Sequence, residues 1–169
     1  MSTLSVDTIQ GKTTAGTVAM PSGTPVQLQV TQGNFSYQEI TTQSMVEVSD
    51  MNVTITPKFA SSKILLTIQT VWWCATDANN YLITTIYRSI GGASFSNLAV
   101  DNTYDALRFH APARTATWTN ECNLGYIDTP NTTSQIVYKF YARRYDATNA
   151  VRIKYGQTSS FMKAMEVVQ

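Results

Sequence analysis

The sequence is poor in the residues that carry most protein chemistry. Its 169 residues include one histidine, His110, and two cysteines, Cys74 and Cys122. One imidazole cannot make a multi-histidine metal site, and two thiols cannot complete a four-thiolate zinc site. No metal and no cofactor is expected. Charged residues make up 14% of the chain, against about 25% in an average protein. The formal net charge is +1, so no global field draws in nucleic acid or an anionic membrane. No apolar run reaches the roughly 18 residues that a membrane-spanning helix needs, so membrane insertion is not expected. Glycine is 8 of 169 and no heptad persists, which excludes collagen-like and coiled-coil chains. Met1–Gln10 has neither a basic n-region nor an apolar h-region, so it does not read as a secretory signal.

What is there belongs to an all-β protein. Hydrophobic residues are 43% and aromatics 11%, enough for a packed core. Polarity comes from 25 Thr and 14 Ser rather than from charge. Thr is β-branched and suits a pleated, half-wet surface.

The chain divides into residues 1–25, an arm, and residues 26–169, a body. Apolar residues in the arm are sparse: Leu4, Val6, Ile9, Val18 and Met20. Leu4 and Val6 alternate like a short strand, and Pro21, Gly23 and Pro25 punctuate a linker. The arm cannot bury enough surface to order itself, so its five apolar residues are expected to attach it to another surface.

The body is a series of alternating runs. Val26–Val30, Phe35–Ile40, Met45–Val48 and Val53–Thr56 come first. Lys63–Trp73, Tyr81–Arg88, Phe95–Val100, Thr115–Asp128, Gln135–Arg143, Val151–Tyr155 and Phe161–Val168 follow. About ten strands separated by turn residues, at the spacing of sandwiches and barrels, predict an antiparallel β-sandwich. Thr103–His110 has room for one short helical turn. Lys63–Trp73 and Tyr81–Arg88 carry large apolar groups on both faces, whereas a sandwich strand needs one. The surplus predicts self-association, with Trp72, Trp73, Tyr81, Tyr87 and Tyr141 as candidate interface residues. Trp72 and Trp73 are adjacent on a strand and must point to opposite faces.

Few residues are candidates for chemistry. His110 has Asp101 and Asp105 nearby in sequence, but no Ser or Cys stands in a strained-turn motif to serve as its nucleophile. Glu39, Glu47, Glu121 and Asp128 show no paired pattern. No catalytic residue and no enzyme activity are expected. Trp118 is a candidate ligand contact through its ring face. Lys139, Arg143, Arg144, Arg152 and Lys154 crowd into sixteen positions around Asp146. If Asp146–Asn149 closes a hairpin, these charges gather at one end of the body. There Arg143, Arg144 and Arg152 become candidate contacts to an acidic partner, or charges that blunt a sheet edge.

The opening S-T-L-S-V-D-T-I (Ser2–Ile9) and V-A-M-P-S-G-T-P-V-Q (Val18–Gln27) resemble the leader of small structural proteins of tailed phages, especially marine and cyanobacterial ones. I-T-P-K-F-A-S-S-K-I-L-L (Ile55–Leu66), D-T-P-N-T-T-S-Q-I-V-Y-K-F-Y-A-R (Asp128–Arg143) and S-F-M-K-A-M-E-V (Ser160–Val167) are similar to strands of that family. Together they cover about half of the chain. The resemblance implies a trimeric jelly roll of the tumour-necrosis-factor type, serving as a short fibre, knob or capsid decoration. Its leader would attach to a capsid or tail protein of the virion. It implies assembly in the host bacterial cytoplasm, where Cys74 and Cys122 stay free thiols. An alternative is a host-receptor tip that binds a surface glycan through loop aromatics.

Overall fold

The computed structural model describes residues 21–33, 36–74, 81–98, 107–110, 118–145, 151–154 and 160–169, with backbone alone at 81, 107–110 and 118. Eleven strands account for most of them. They are β1 (Pro25–Gln32), β2 (Gln38–Ile40), β3 (Val46–Ile55), β4 (Lys63–Cys74), β5 (Tyr81–Ile90) and β6 (Ser96–Asn97). β7 (Leu107–His110), β8 (Trp118–Asp128), β9 (Ile136–Arg144), β10 (Val151–Ile153) and β11 (Phe161–Val167) follow. All pairings are antiparallel.

The strands form two sheets. In the first, β8 lies along the whole of β4, and β11 and β10 share the other side of β4 end to end. β1 flanks β11 and β2 flanks β10. In the second, the order is β3, β9, β5, with β6 and β7 end to end along the other side of β5. The eight principal strands thus run β1-β11-β4-β8 and β3-β9-β5-β7. This is the double Greek key of a jelly-roll sandwich.

Two expected runs, Met45–Val48 and Val53–Thr56, are one strand. β3 continues through Asp50, which takes a left-handed φ of 63°, and its register with β9 shifts between Glu47 and Asn52. The irregularity places three extra residues on β3 without ending the strand. The helical turn expected at Thr103–His110 is corrected over its described part. Leu107–His110 is strand β7, paired to Tyr81–Thr84 of β5. An open β5 edge offers four residues a ladder, which local propensity cannot anticipate.

The core lies between the sheets. β4 turns Ile64, Leu66, Ile68, Thr70, Trp72 and Cys74 inward, strictly alternating. β9 opposes them with Ile136, Tyr138, Phe140 and Ala142. Each large aliphatic chain so buried contributes about 1.5–3 kcal/mol. Two polar groups fasten the sandwich. Asp128 of β8 reaches Arg88 of β5 at 2.7 Å and accepts the Tyr138 hydroxyl at 2.7 Å. Glu166 of β11 is buried and accepts the backbone N–H groups of Lys58 and Phe59, at 2.8 and 3.1 Å, and the Gln27 amide at 2.6 Å. It ties the β3–β4 connection to the β1–β11 pair.

Candidate functional site

The first sheet has an outer face, and its chemistry follows from register. Directly opposed residues of an antiparallel pair share a face. Ala164 and Leu66 point into the core, so their neighbours Met165 and Leu65 point out. Leu28 stands opposite Met165, Met165 opposite Leu65, and Leu65 opposite Ile127. Four apolar side chains therefore form one continuous row across β1, β11, β4 and β8. Leu28 is 54% exposed and Ile127 61%. The next row is Val30, Lys163, Thr67 and Gly125, with Val30 57% exposed. A Cβ on Gly125 would meet nothing within 4 Å. The gap leaves a shallow, mainly apolar depression lined by Leu65, Thr67, Gly125, Tyr126 and Ile127.

Sequence reasoning missed this row. β1 carries Leu28 and Val30 on one parity, which normally seeks the core. Here Gln27 and Gln29 stand opposite the inward Glu166 and Ala164, so the apolar parity faces outward. The one legible signal was Leu65, on the second apolar face of Lys63–Trp73.

At the far end of the same face, Arg152 of β10 stands between Trp73 of β4 and Glu39 of β2. Its Nε lies 3.0 Å from the Glu39 carboxylate, and its guanidinium is 4.7 Å from the Trp73 ring centre and 4.8 Å from that of Tyr37. A stacked arginine of this kind contributes about 0.5–1 kcal/mol per ring where water still reaches it.

The remaining candidates separate. Trp72 is 1% exposed and belongs to the core. Its ring is used within the sandwich and leaves the candidate interface, because the parity that lines the core runs through Thr70, Trp72 and Cys74. Tyr87 and Tyr141 do meet, with ring centres 4.2 Å apart, on the outer face of the second sheet. Burial, with Glu47 adding, raises the Tyr141 phenol above its ordinary value. Leu82–Ile86 are all buried, so the second face of β5 is closed without a neighbouring subunit. Tyr81 pairs with His110 and Trp118 with Cys74 along the backbone; their side chains, and all of Leu4, Val6, Ile9, Val18 and Met20, lie outside the described residues.

The basic cluster does not assemble. β9 sits in the second sheet and β10 in the first, so the run around Asp146 is no hairpin. Lys139 pairs with Glu47 at 2.7 Å, Arg152 with Glu39, and Arg143 donates to the Gln43 carbonyl at 3.4 Å. The Arg144 backbone N–H donates to the Thr42 carbonyl at 3.1 Å. Lys154 is buried and donates to the Ser49 carbonyl at 3.0 Å. Cys74 and Cys122 are buried thiols with no disulfide between them. Cys122 opposes Thr70, four positions from Cys74 along β4, or about 13 Å at strand rise. Burial pushes the Cys122 thiol up to about 12. Among the described residues, no three His, Cys, Asp or Glu side chains gather to hold a metal.

No protein-family model matches the chain, and no curated protein matches its sequence. Among solved structures, it is similar to a chain of infectious bursal disease virus, Gx strain, with 11% identity and a TM-score of 0.39, over 86% of this chain and 37% of the other. A mutant VP2 protein of the same virus, from derived T=1 particles, gives 11% identity and a TM-score of 0.40, over 96% and 45%. The chain spans less than half the length of either. Overlap of this extent carries nothing about function.

Proposed function

We propose that this chain is a non-enzymatic structural component of a tailed-phage virion, a short fibre, knob or capsid decoration. Its sandwich associates with copies of itself, as a homotrimer, and its N-terminal arm attaches it to a capsid or tail protein. The observation that carries the reading is the row Leu28–Met165–Leu65–Ile127, with Val30 beside it. A water-facing sheet normally alternates apolar inside with polar outside. A contiguous apolar row on the wet side marks a surface meant for a partner. The resemblance of Ser2–Ile9 and Val18–Gln27 to tailed-phage leaders points to the kind of assembly.

The test is the mass of the full chain in dilute solution, by sedimentation and native mass spectrometry. A concentration-independent oligomer is expected. Leu65→Lys with Ile127→Lys should convert it to monomer while leaving the β spectrum intact. A well-folded wild-type monomer would sink the reading. Immunogold labelling of purified particles then separates head from tail.

A second reading, a host-glycan tip, is favoured by Trp73 and Tyr37 flanking Arg152 beside Glu39. Aromatic faces and a charged pair are what a sugar ring and its hydroxyls require. Glycan-array binding lost on Trp73→Ala or Trp118→Ala, with the oligomer intact, would support it.

A further inference from the structure

We propose that the outer edge of β8 accepts an added β-strand, supplied by Ser2–Ile9 of a second copy of this chain. The idea rests on the self-association just proposed and says which parts of two copies join; the arm's contact to a capsid or tail protein then falls to Gln10–Met20.

Sheet edges in natural proteins are normally blunted by proline, lysine, bulges or short length. The other edges of this sandwich carry such devices. β1 opens at Pro25 and shifts register before Gln27, and the Gln27 side chain is bonded to the Thr56 carbonyl as well as to Glu166. β3 is broken by its bulge and the left-handed Asp50. β2, β6 and β7 have 3, 2 and 4 residues. β8 has none of these. Its 11 residues, W-T-N-E-C-N-L-G-Y-I-D, contain no proline, lysine or arginine. It pairs with β4 without a break from Ile64↔Asp128 to Cys74↔Trp118, and among the described residues no strand pairs its other side. Asp128 is buried and bound to Arg88, which leaves Glu121 as the exposed charge of the strand. A long, regular edge with a single exposed charge is a template for strand addition.

Gly125 is a second observation. Glycine inside a strand weakens it and often marks close approach of another chain. The space at Gly125 opens beside Leu65 and Ile127, on the outer face next to the free edge.

The occupant follows from the rest of the sequence. Residues 1–20 lie outside the described part, and the chain enters the sandwich where Gly23 donates to the Val168 carbonyl, beside β1. The segment S-T-L-S-V-D-T-I is eight residues long, alternates, and lacks proline and lysine. Laid antiparallel with Leu4 opposite Ile127, it puts Val6 opposite Gly125 and Thr8 opposite Asn123. Leu4 and Val6 then fall on the outer face, one against Ile127 and one over the depression, while Ile9 stands opposite Cys122 on the other parity. The arm leaves at the β1 edge and the acceptor is the opposite edge, three strand spacings or about 14 Å away. Donor and acceptor on opposite edges make a head-to-tail contact, which closes into a ring when the rotation permits.

The test uses the full chain with Thr8→Cys and Asn123→Cys, oxidised and resolved without reductant. Disulfides joining two copies are expected, identified as mixed-isotope peptides after combining ¹⁴N- and ¹⁵N-labelled protein. Adding Leu4→Asp and Val6→Asp should lower the yield at least tenfold. Cross-links confined to one chain, or no more than a control with Thr8→Cys and Thr31→Cys on β1 gives, would overturn the proposal. If the protein remains oligomeric while that cross-link is missing, strand addition fails and self-association stands; if it is monomeric, both fail.

Discussion

Arg88 of β5 and Asp128 of β8 face each other at 2.7 Å across the space between the two sheets. The Asp128 side chain is 6% exposed, and the Tyr138 hydroxyl of β9 donates to the same carboxylate. One carboxylate from the first sheet is thus held by two groups of the second. Burial, then the hydrogen bond to Asp128, raises the Tyr138 phenol far above its ordinary range, so it stays a donor throughout the accessible pH range.

Removing one partner of such a pair strands the other. Asp128→Ala should lower stability by about 3 kcal/mol, measured as a shifted urea midpoint at unchanged slope. Arg88→Met keeps the aliphatic stem but leaves the more deeply buried carboxylate with the Tyr138 hydroxyl, so it should cost at least as much. A loss under about 1 kcal/mol in both variants would mean that the pair does not bridge the sheets as described.

Glu166 sets an acid limit. Burial alone would raise its carboxyl, but the N–H groups of Lys58 and Phe59 and the Gln27 amide outweigh it and hold the value below the ordinary 4.5. A carboxyl whose folded value lies below its unfolded one stabilises the fold in its ionised form. That stability is complete above about pH 4.5 and drains away as pH falls through the folded value. Thermal unfolding between pH 7 and pH 3 should show a drop in midpoint that is smaller in Glu166→Gln. The variant should also be less stable at pH 7, since an amide nitrogen then faces donors.

Both thiols are buried on one face of the first sheet, too far apart to bond to each other. A thiol held up to about 12 is hardly ionised at pH 8, and the thiolate is the reactive form. Native protein should resist iodoacetamide at Cys74 and Cys122 and react at both in denaturant. Rapid labelling of Cys122 in the native protein would contradict the packing of β8 on β4.

Adjacent tryptophans should behave unlike each other. Trp72→Ala opens a cavity in the core and should cost about 3–5 kcal/mol. Trp73→Ala removes a half-exposed ring stacked on Arg152 and should cost about 1 kcal/mol. Chemical denaturation of the two variants decides it.

Much of this was legible in a linear text. Strand alternation is a local property, so the runs at Lys63–Trp73, Tyr81–Arg88, Gln135–Arg143 and Phe161–Val168 mark β4, β5, β9 and β11 within a few residues. Burial of Cys74 and Cys122 follows from their parity beside Trp72 and Leu124. Alternation divides each strand into two faces without saying which one meets the core. That is why Trp72 and Trp73 were distinguishable as opposites but not as core and surface.

By itself, then, the sequence determined an all-β, low-charge chain with its strands, turns and arm in order, because those depend on neighbours a few positions apart. Only the tertiary structure decided which strands share a sheet. It put β9 and β10 in different sheets and so dispersed the basic cluster, turned Leu28 and Val30 outward, buried Leu82–Ile86 on both faces of β5 and, among the described residues, left one side of β8 unpaired. Each of these depends on register between segments far apart in the chain, where a slip of one residue exchanges inside for outside.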